Sequence, residues 1–113
     1  MEIKKSKING ENGLFATKNY KKNDIIYILS GEIYDEPKRE TIHIGNNKHI
    51  YDNYGIFINH SFCPNIFVNG YELVALCDIL INDEIVFNYN DTEINMASQF
   101  YDNNILVCGN NIC

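Results

Sequence analysis

Asn59-His60-Ser61-Phe62-Cys63-Pro64-Asn65 and, further along, Phe87-Asn88-Tyr89 are the two stretches that decide how this chain is read. Neither is decisive alone. Asn and Ser favour turns, a single His usually finds a hydrogen bond within packed structure, and Tyr89 is one of eight tyrosines. A strand Tyr with its hydroxyl on a backbone carbonyl would be an ordinary core residue. Their setting says more. Ile56-Phe57-Ile58 reads as an apolar strand leading into Asn59. Another strand is expected over 73–77, followed by Asp78-Ile79, the acidic pair Asp83-Glu84, and a strand Ile85-Val86-Phe87 running up to Tyr89.

Outward from these stretches, short β-type runs dominate. Ile25-Ile26-Tyr27-Ile28-Leu29 is bounded by Asn23-Asp24 and Ser30-Gly31, and Thr41-Ile42-His43-Ile44 alternates until Gly45-Asn46-Asn47 stops it. Asn65-Ile66-Phe67-Val68 and Tyr71-Glu72-Leu73-Val74-Ala75-Leu76 flank Asn69-Gly70, a hairpin signal because both turn residues accept positive φ. Asp91-Thr92 is placed to cap a short helix from Glu93 to about Tyr101. Cys77, in an apolar run, is expected in the core. There is no internal repeat, low-complexity tract or linker, so the expectation is one mostly-β domain with few short helices and small curled sheets.

The chain has 113 residues, of which 45% are hydrophobic and 21% charged, the balance of a globular domain. No run of about 18 apolar residues is present, so no membrane span is expected. Met1-Glu2-Ile3-Lys4-Lys5 has no apolar segment behind it, so no secretory signal is expected and the address is read as intracellular, nucleus or cytoplasm being open. In that compartment four cysteines read as free thiols or metal ligands rather than disulfides. The net charge of −6 is unevenly spread: all nine Lys and Arg lie at or before Lys48, while eight acids and no Lys or Arg follow His49. An acidic half would repel nucleic-acid phosphates, so no direct nucleic-acid binding is expected, and would attract a basic peptide. Solvated acidic loops are the plainer explanation of the same pattern.

Taken in order, these landmarks resemble the signature of SET-domain protein-lysine methyltransferases. The Asn59-His60-Ser61 segment, Asp83-Glu84 and Phe87-Asn88-Tyr89 stand as that family's pattern has them. Upstream, Gly13-Leu14-Phe15-Ala16 with Lys21-Lys22-Asn23-Asp24-Ile25 resembles its opening strand and turn, and Gly31-Glu32 its next landmark. The resemblance spans roughly residues 8–100, and several ordered motifs are more specific than any one. It implies a SET-domain (β-clip) fold with a threaded C-terminal segment, dividing as a SET domain over 1–100 and a degenerate tail over 101–113. It also implies S-adenosylmethionine as cofactor and a basic protein or peptide, such as a histone tail, as substrate. By the same resemblance Tyr89 aligns the lysine amine with the methyl group. Asn59 and His60 seat the cofactor beside its adenine, and Gly13, Leu14 and Phe15 meet its amino-acid and ribose end.

Some positions depart from the family pattern. The opening Gly-x-Gly reads Glu11-Asn12-Gly13, with Gly10 one place early, and Leu29-Ser30 precedes Gly31-Glu32 where an aromatic is usual. Tyr34, Tyr51, Tyr54 and Tyr101 are the rings available to line a lysine channel. The variable insert before Asn59 is almost absent, which leaves substrate specificity open. Many relatives carry a zinc-binding tail. Here Cys108 and Cys113 match its last two cysteines, Leu106 replaces its first, and Cys63 falls one place late after Ser61. Cys63, Cys108 and Cys113 supply three thiolates, one short of a structural zinc site unless Asp102 completes it; a tail of free cysteines is the alternative. A shortened tail would leave the channel wall to a homodimer partner. The rival to an enzyme is a catalytically inactive SET-fold module that binds a basic peptide.

Overall fold

The computed structural model describes residues 1–8, 10–38 and 40–92, together with the backbone of 100–102 and 105–107. Its strands are β1 (Glu2–Lys5), β2 (Asn12–Phe15), β3 (Ile25–Ile28), β4 (Glu32–Tyr34), β5 (Ile42–Gly45) and β6 (Lys48–Tyr51). After a 3-10 turn at Gly55–Phe57 come β7 (Asn59–His60), β8 (Ile66–Asn69), β9 (Glu72–Ala75) and β10 (Glu84–Phe87). Then follow a single helical turn α1 (Tyr89–Thr92), β11 (Phe100–Asp102) and β12 (Ile105–Val107). They form small sheets ordered β1-β2-β10-β7, β3-β9-β8 and β4-β6-β5, plus the β11-β12 hairpin. The expected fold class, mostly β in small curled sheets, is what the structure has.

Local chemistry explains most of these elements. Asn46 and Asn47, at φ 52° and 57°, form the two-residue loop between β5 and β6; paired positive φ is the demand of a type I′ hairpin turn, and Asn is among the few side chains that tolerate it. The expected β8-β9 hairpin is present but its loop is one residue later: Asn69 pairs with Glu72, and Gly70 (φ 60°) with Tyr71 makes the turn. A single turn design occurs twice. Asn23 and Asn82 take left-handed φ of 75° and 72°. In each case the following Asp accepts the amide three residues back, Lys21 N–H to Asp24 Oδ2 at 2.8 Å and Leu80 N–H to Asp83 Oδ2 at 2.9 Å. Asp78 likewise holds the Lys22 amide at 2.9 Å, so part of the acidic C-terminal half serves to close turns.

Ile56-Phe57-Ile58 is not a strand. Gly55–Phe57 is a 3-10 turn, because the Asp52 carboxylate accepts the Tyr54 and Gly55 amides, each at 2.8 Å, and winds the chain before it reaches β7. The expected helix also differs: helical backbone starts at Tyr89, so Asp91 and Thr92 lie within it rather than ahead of it, and Phe100–Asp102 is strand. Residues 93–99, Cys108 and Cys113 lie outside the described residues, and with them the rest of that helix, the threading of the C-terminal segment and the tail thiolates. Cys77 is exposed, a correction to its expected core position: β9 ends at Ala75 and the chain leaves the sheet before reaching it.

The core lies where the three larger sheets face one another. Leu14 and Ile85 come from the first, Leu73 and Ile66 from the second, and Ile42 and Ile50 from the third, all nearly or fully buried. In β10 three successive residues, Ile85-Val86-Phe87, are buried, as suits a strand paired on both edges.

The third sheet carries a histidine pair. His43 and His49 face each other across β5 and β6 with ring centroids 4.9 Å apart. His43 Nδ1 donates to the Thr92 carbonyl at 2.9 Å, tying this sheet to the end of α1. His49 is buried, and burial, then the neighbouring His43, pushes its pKa below the usual 6.5. A proton taken up by the unfolded chain near that value is resisted by the folded one, so stability present above pH ~6.5 declines as pH falls through the lower folded value. Urea denaturation between pH 5 and 7.5 should show this decline, and His49→Phe should flatten it; an unchanged slope in the variant would place the acid sensitivity elsewhere.

Candidate active site

β10 gathers the predicted site residues. It pairs antiparallel with β2, Glu84 opposite Phe15 and Ile85 opposite Leu14, and parallel with β7, Val86 opposite Asn59 and Phe87 opposite His60. The Asn59–Asn65 string is held along it at both ends. Ser61 N–H donates to Phe87 O at 3.1 Å and Asn65 N–H to Val86 O at 3.2 Å. The Asn65 side chain then brackets the strand, donating to Glu84 O at 2.8 Å and accepting from Val86 N–H at 3.0 Å.

At one end of this seam Asn59 Nδ2 donates to Glu84 Oε2 at 2.9 Å and to the Asn12 carbonyl at 3.1 Å, and Ser6 donates to Glu84 Oε1 at 2.6 Å. Gly13 lies against the same group: a Cβ there would sit 2.5 Å from Glu84 Oε2 and 3.2 Å from Asn59 Nδ2. Absence of a side chain at Gly13 therefore leaves room for the Glu84 carboxylate that Asn59 holds. Leu14 and Phe15 are buried, and their backbone is paired with β1 on one side and β10 on the other. Gly13 and Asn59, far apart in sequence, are thus brought together. Glu84 joins them, although the sequence marked it only as a landmark.

At the other end stands Tyr89, held from several sides. Its amide donates to His60 Nδ1 at 3.1 Å, which places that imidazole's hydrogen on Nε2. Its hydroxyl donates to the Ile58 carbonyl at 2.5 Å. Its ring meets His60 and Phe87 with centroids 5.2 and 4.8 Å apart. The hydroxyl does bond a backbone carbonyl, as an ordinary core tyrosine would, yet Tyr89 is only part-buried and stands beside the His60 seam. A hydroxyl whose hydrogen is fixed on a carbonyl presents its lone pairs elsewhere, where they can accept from an amine.

The other tyrosines named for a channel have different neighbours. Tyr54 packs edge-on against Tyr27 at 5.8 Å, Tyr34 donates to Glu32 at 2.6 Å, and Tyr51 is exposed on β6. The Tyr101 side chain and Asp102 as a ligand lie outside what is described. Cys63 is exposed, and no cluster of metal-ligating side chains occurs among the described residues. No helix among them is long and apolar enough to cross a membrane.

The SET-domain profile matches residues 11–90, and the chain belongs to the SET-domain family. A candidate histone methyltransferase of Plasmodium falciparum is similar in structure, with a TM-score of 0.62 at 31% identity over 78% of this chain and 90% of that one. A humanized mutant of the Chaetomium thermophilum Polycomb Repressive Complex 2, bound to the inhibitor GSK126, contains a chain with a TM-score of 0.64 at 19% identity. It matches 95% of this chain but only 18% of that one, a likeness of fold. No curated protein matches the chain.

Proposed function

We propose that this protein is an S-adenosylmethionine-dependent protein-lysine N-methyltransferase acting on a basic protein or peptide such as a histone tail. The observation that carries the reading is the placement of Tyr89, with amide, hydroxyl and ring all fixed by the same short segment, Ile58 to His60, that also presents Asn59 to Gly13. Membership of the SET-domain family and likeness to a candidate histone methyltransferase support it.

The cofactor's demands fit the residues present. Its amino-acid end needs acceptors for an ammonium, and the Asn12 carbonyl and the Glu84 carboxylate beside Gly13 are such acceptors. When bound, S-adenosylmethionine supplies a methyl group on a sulfonium sulfur. By the family's pattern the Gly13–Phe15 segment takes one end of it and the Asn59–His60 segment the other, and Asn59 Nδ2 beside Gly13 is where the two segments meet. Tyr89 accepts from the lysine amine and aligns its lone pair, the positioning that an in-line displacement chiefly requires. The amine attacks only when neutral, and free lysine titrates near ~10.4, so a channel that excludes water helps by disfavouring the ammonium.

Calorimetric titration with S-adenosylmethionine, followed by methyl transfer to a basic peptide, tests this. One-site binding with transfer is the expected result. Binding without transfer to any of a panel of basic peptides would favour the non-catalytic module, and no binding by the folded protein would remove the cofactor assignment.

A further inference from the structure

The least exposed carboxylate of the described residues belongs to Asp52, at 1% exposure, and the reaction just proposed gives it no role. It lies just past the end of β6, and its oxygens collect donors from three parts of the chain. Oδ1 accepts the Tyr54 and Gly55 amides, each at 2.8 Å. Oδ2 accepts the Ser30 amide at 2.8 Å, and the Tyr27 hydroxyl on β3 reaches both oxygens at 3.0 Å. A buried carboxylate without such donors would be strongly unfavourable; with them it becomes a rigid junction. Burial first, and then the bond to Asp52, push the Tyr27 phenol up to about 12, so this donor keeps its proton across the working range of pH.

What leaves the junction is the 3-10 turn. Asp52 O accepts Ile56 N–H at 3.0 Å, Tyr54 O accepts Phe57 N–H at 3.0 Å, and Gly55 O accepts Ile58 N–H at 3.1 Å. Gly55 is packed so closely that a Cβ would lie 3.2 Å from Asp52, Ile42 and Leu29 alike. Ile58, whose amide closes the turn, also carries the carbonyl that holds the Tyr89 hydroxyl. Resting on the reading above, we propose that Asp52 is a positioning residue: through one 3-10 turn it fixes the Ile58 carbonyl and thereby the direction in which the Tyr89 hydroxyl points.

Asp52→Asn is the direct test, because the amide keeps the size but cannot accept everywhere. Whichever way it is turned, its NH2 faces a backbone N–H, either that of Ser30 or those of Tyr54 and Gly55. Small displacements at a reacting group are expensive, so kcat should fall about tenfold or more with KM for cofactor and peptide little changed. Tyr27→Phe removes one donor and leaves the three amides, and should fall by about threefold. It also carries the test if Asp52→Asn does not fold. The second readout needs no activity: the 13Cζ resonance of Tyr89, which reports the hydroxyl's hydrogen bond, should move in both variants. It should stay in Asp35→Asn, a change at an exposed carboxylate paired with Lys48. An unmoved Tyr89 resonance in folded Asp52→Asn or Tyr27→Phe overturns the inference. If the wild-type protein transfers no methyl group, the enzymatic reading fails on its own, and the resonance still decides whether Asp52 orients Tyr89.

Discussion

Tyr89→Phe is expected to lower kcat for methyl transfer by about 10²-fold or more while leaving S-adenosylmethionine affinity nearly unchanged. The substitution removes one oxygen and little else. The amide still donates to His60 Nδ1, and the ring still packs on His60 and Phe87. What is lost is the hydroxyl bond to Ile58 O and, with it, the lone pairs proposed to accept from the attacking amine. Loss of that bond costs about 1 kcal/mol of stability, too little to unfold a domain with a typical ~5–15 kcal/mol. Of the groups assigned to the cofactor, Gly13 and Asn59 lie at the opposite end of the β7–β10 seam, and His60 keeps both its bond from the Tyr89 amide and its contact with the ring, so binding should persist. Single-turnover transfer to a basic peptide, set beside calorimetry with the cofactor, separates the two effects. Full activity in the variant would withdraw Tyr89 from the chemistry, and lost affinity with kcat intact would make it a binding residue instead.

The Tyr89 site was legible because its parts are short strings in a set order. Asn59-His60-Ser61 and Phe87-Asn88-Tyr89 stood out without any knowledge of contacts, and β10 does lie beside β7. The β8-β9 hairpin was legible for the same local reason, since Asn and Gly at turns announce their own backbone geometry, although its turn falls one residue later than expected. What escaped depends on partners distant in sequence. Ile56-Phe57-Ile58 looks like a strand until Asp52 takes the Tyr54 and Gly55 amides, and Asp52 can be buried there only because Tyr27 and Ser30 come to meet it. Counted as one of eight acids in a negative half, it gave one local signal, a carboxylate directly after Ile50-Tyr51. Glu84 is similar: its bonds to Ser6 and Asn59 join residues 78 and 25 positions apart. Strands β1, β4 and β6 were missed because Glu2–Lys5, Glu32–Tyr34 and Lys48–Tyr51 are too short and polar for alternation to show.

Gly31→Ala is expected to be the most damaging substitution to stability, at about 3–5 kcal/mol, or a fall in melting temperature on the order of 10–20 °C. Gly31 matched a family landmark in sequence, and the structure supplies a reason why glycine is needed. Its φ of 152° lies where residues with a Cβ are strained, and a Cβ built there falls 1.9 Å from the Tyr51 carbonyl oxygen and 2.9 Å from its carbon. Those are backbone atoms of the adjacent strand, where Glu32 pairs with Tyr51, so no side chain can swing aside. Relief requires β4 to part from β6 just before Asp52, which also pulls at the Ser30 amide that Asp52 holds. Gly70→Ala is the matched comparison: its φ of 60° also disfavours a side chain, yet nothing lies within 4 Å of the added Cβ, so it should cost only about 1–2 kcal/mol. Chemical denaturation of both variants isolates the collision from the backbone strain. Equal losses would mean that β4 yields freely at the sheet edge, and the landmark glycine would then owe its place to backbone conformation alone.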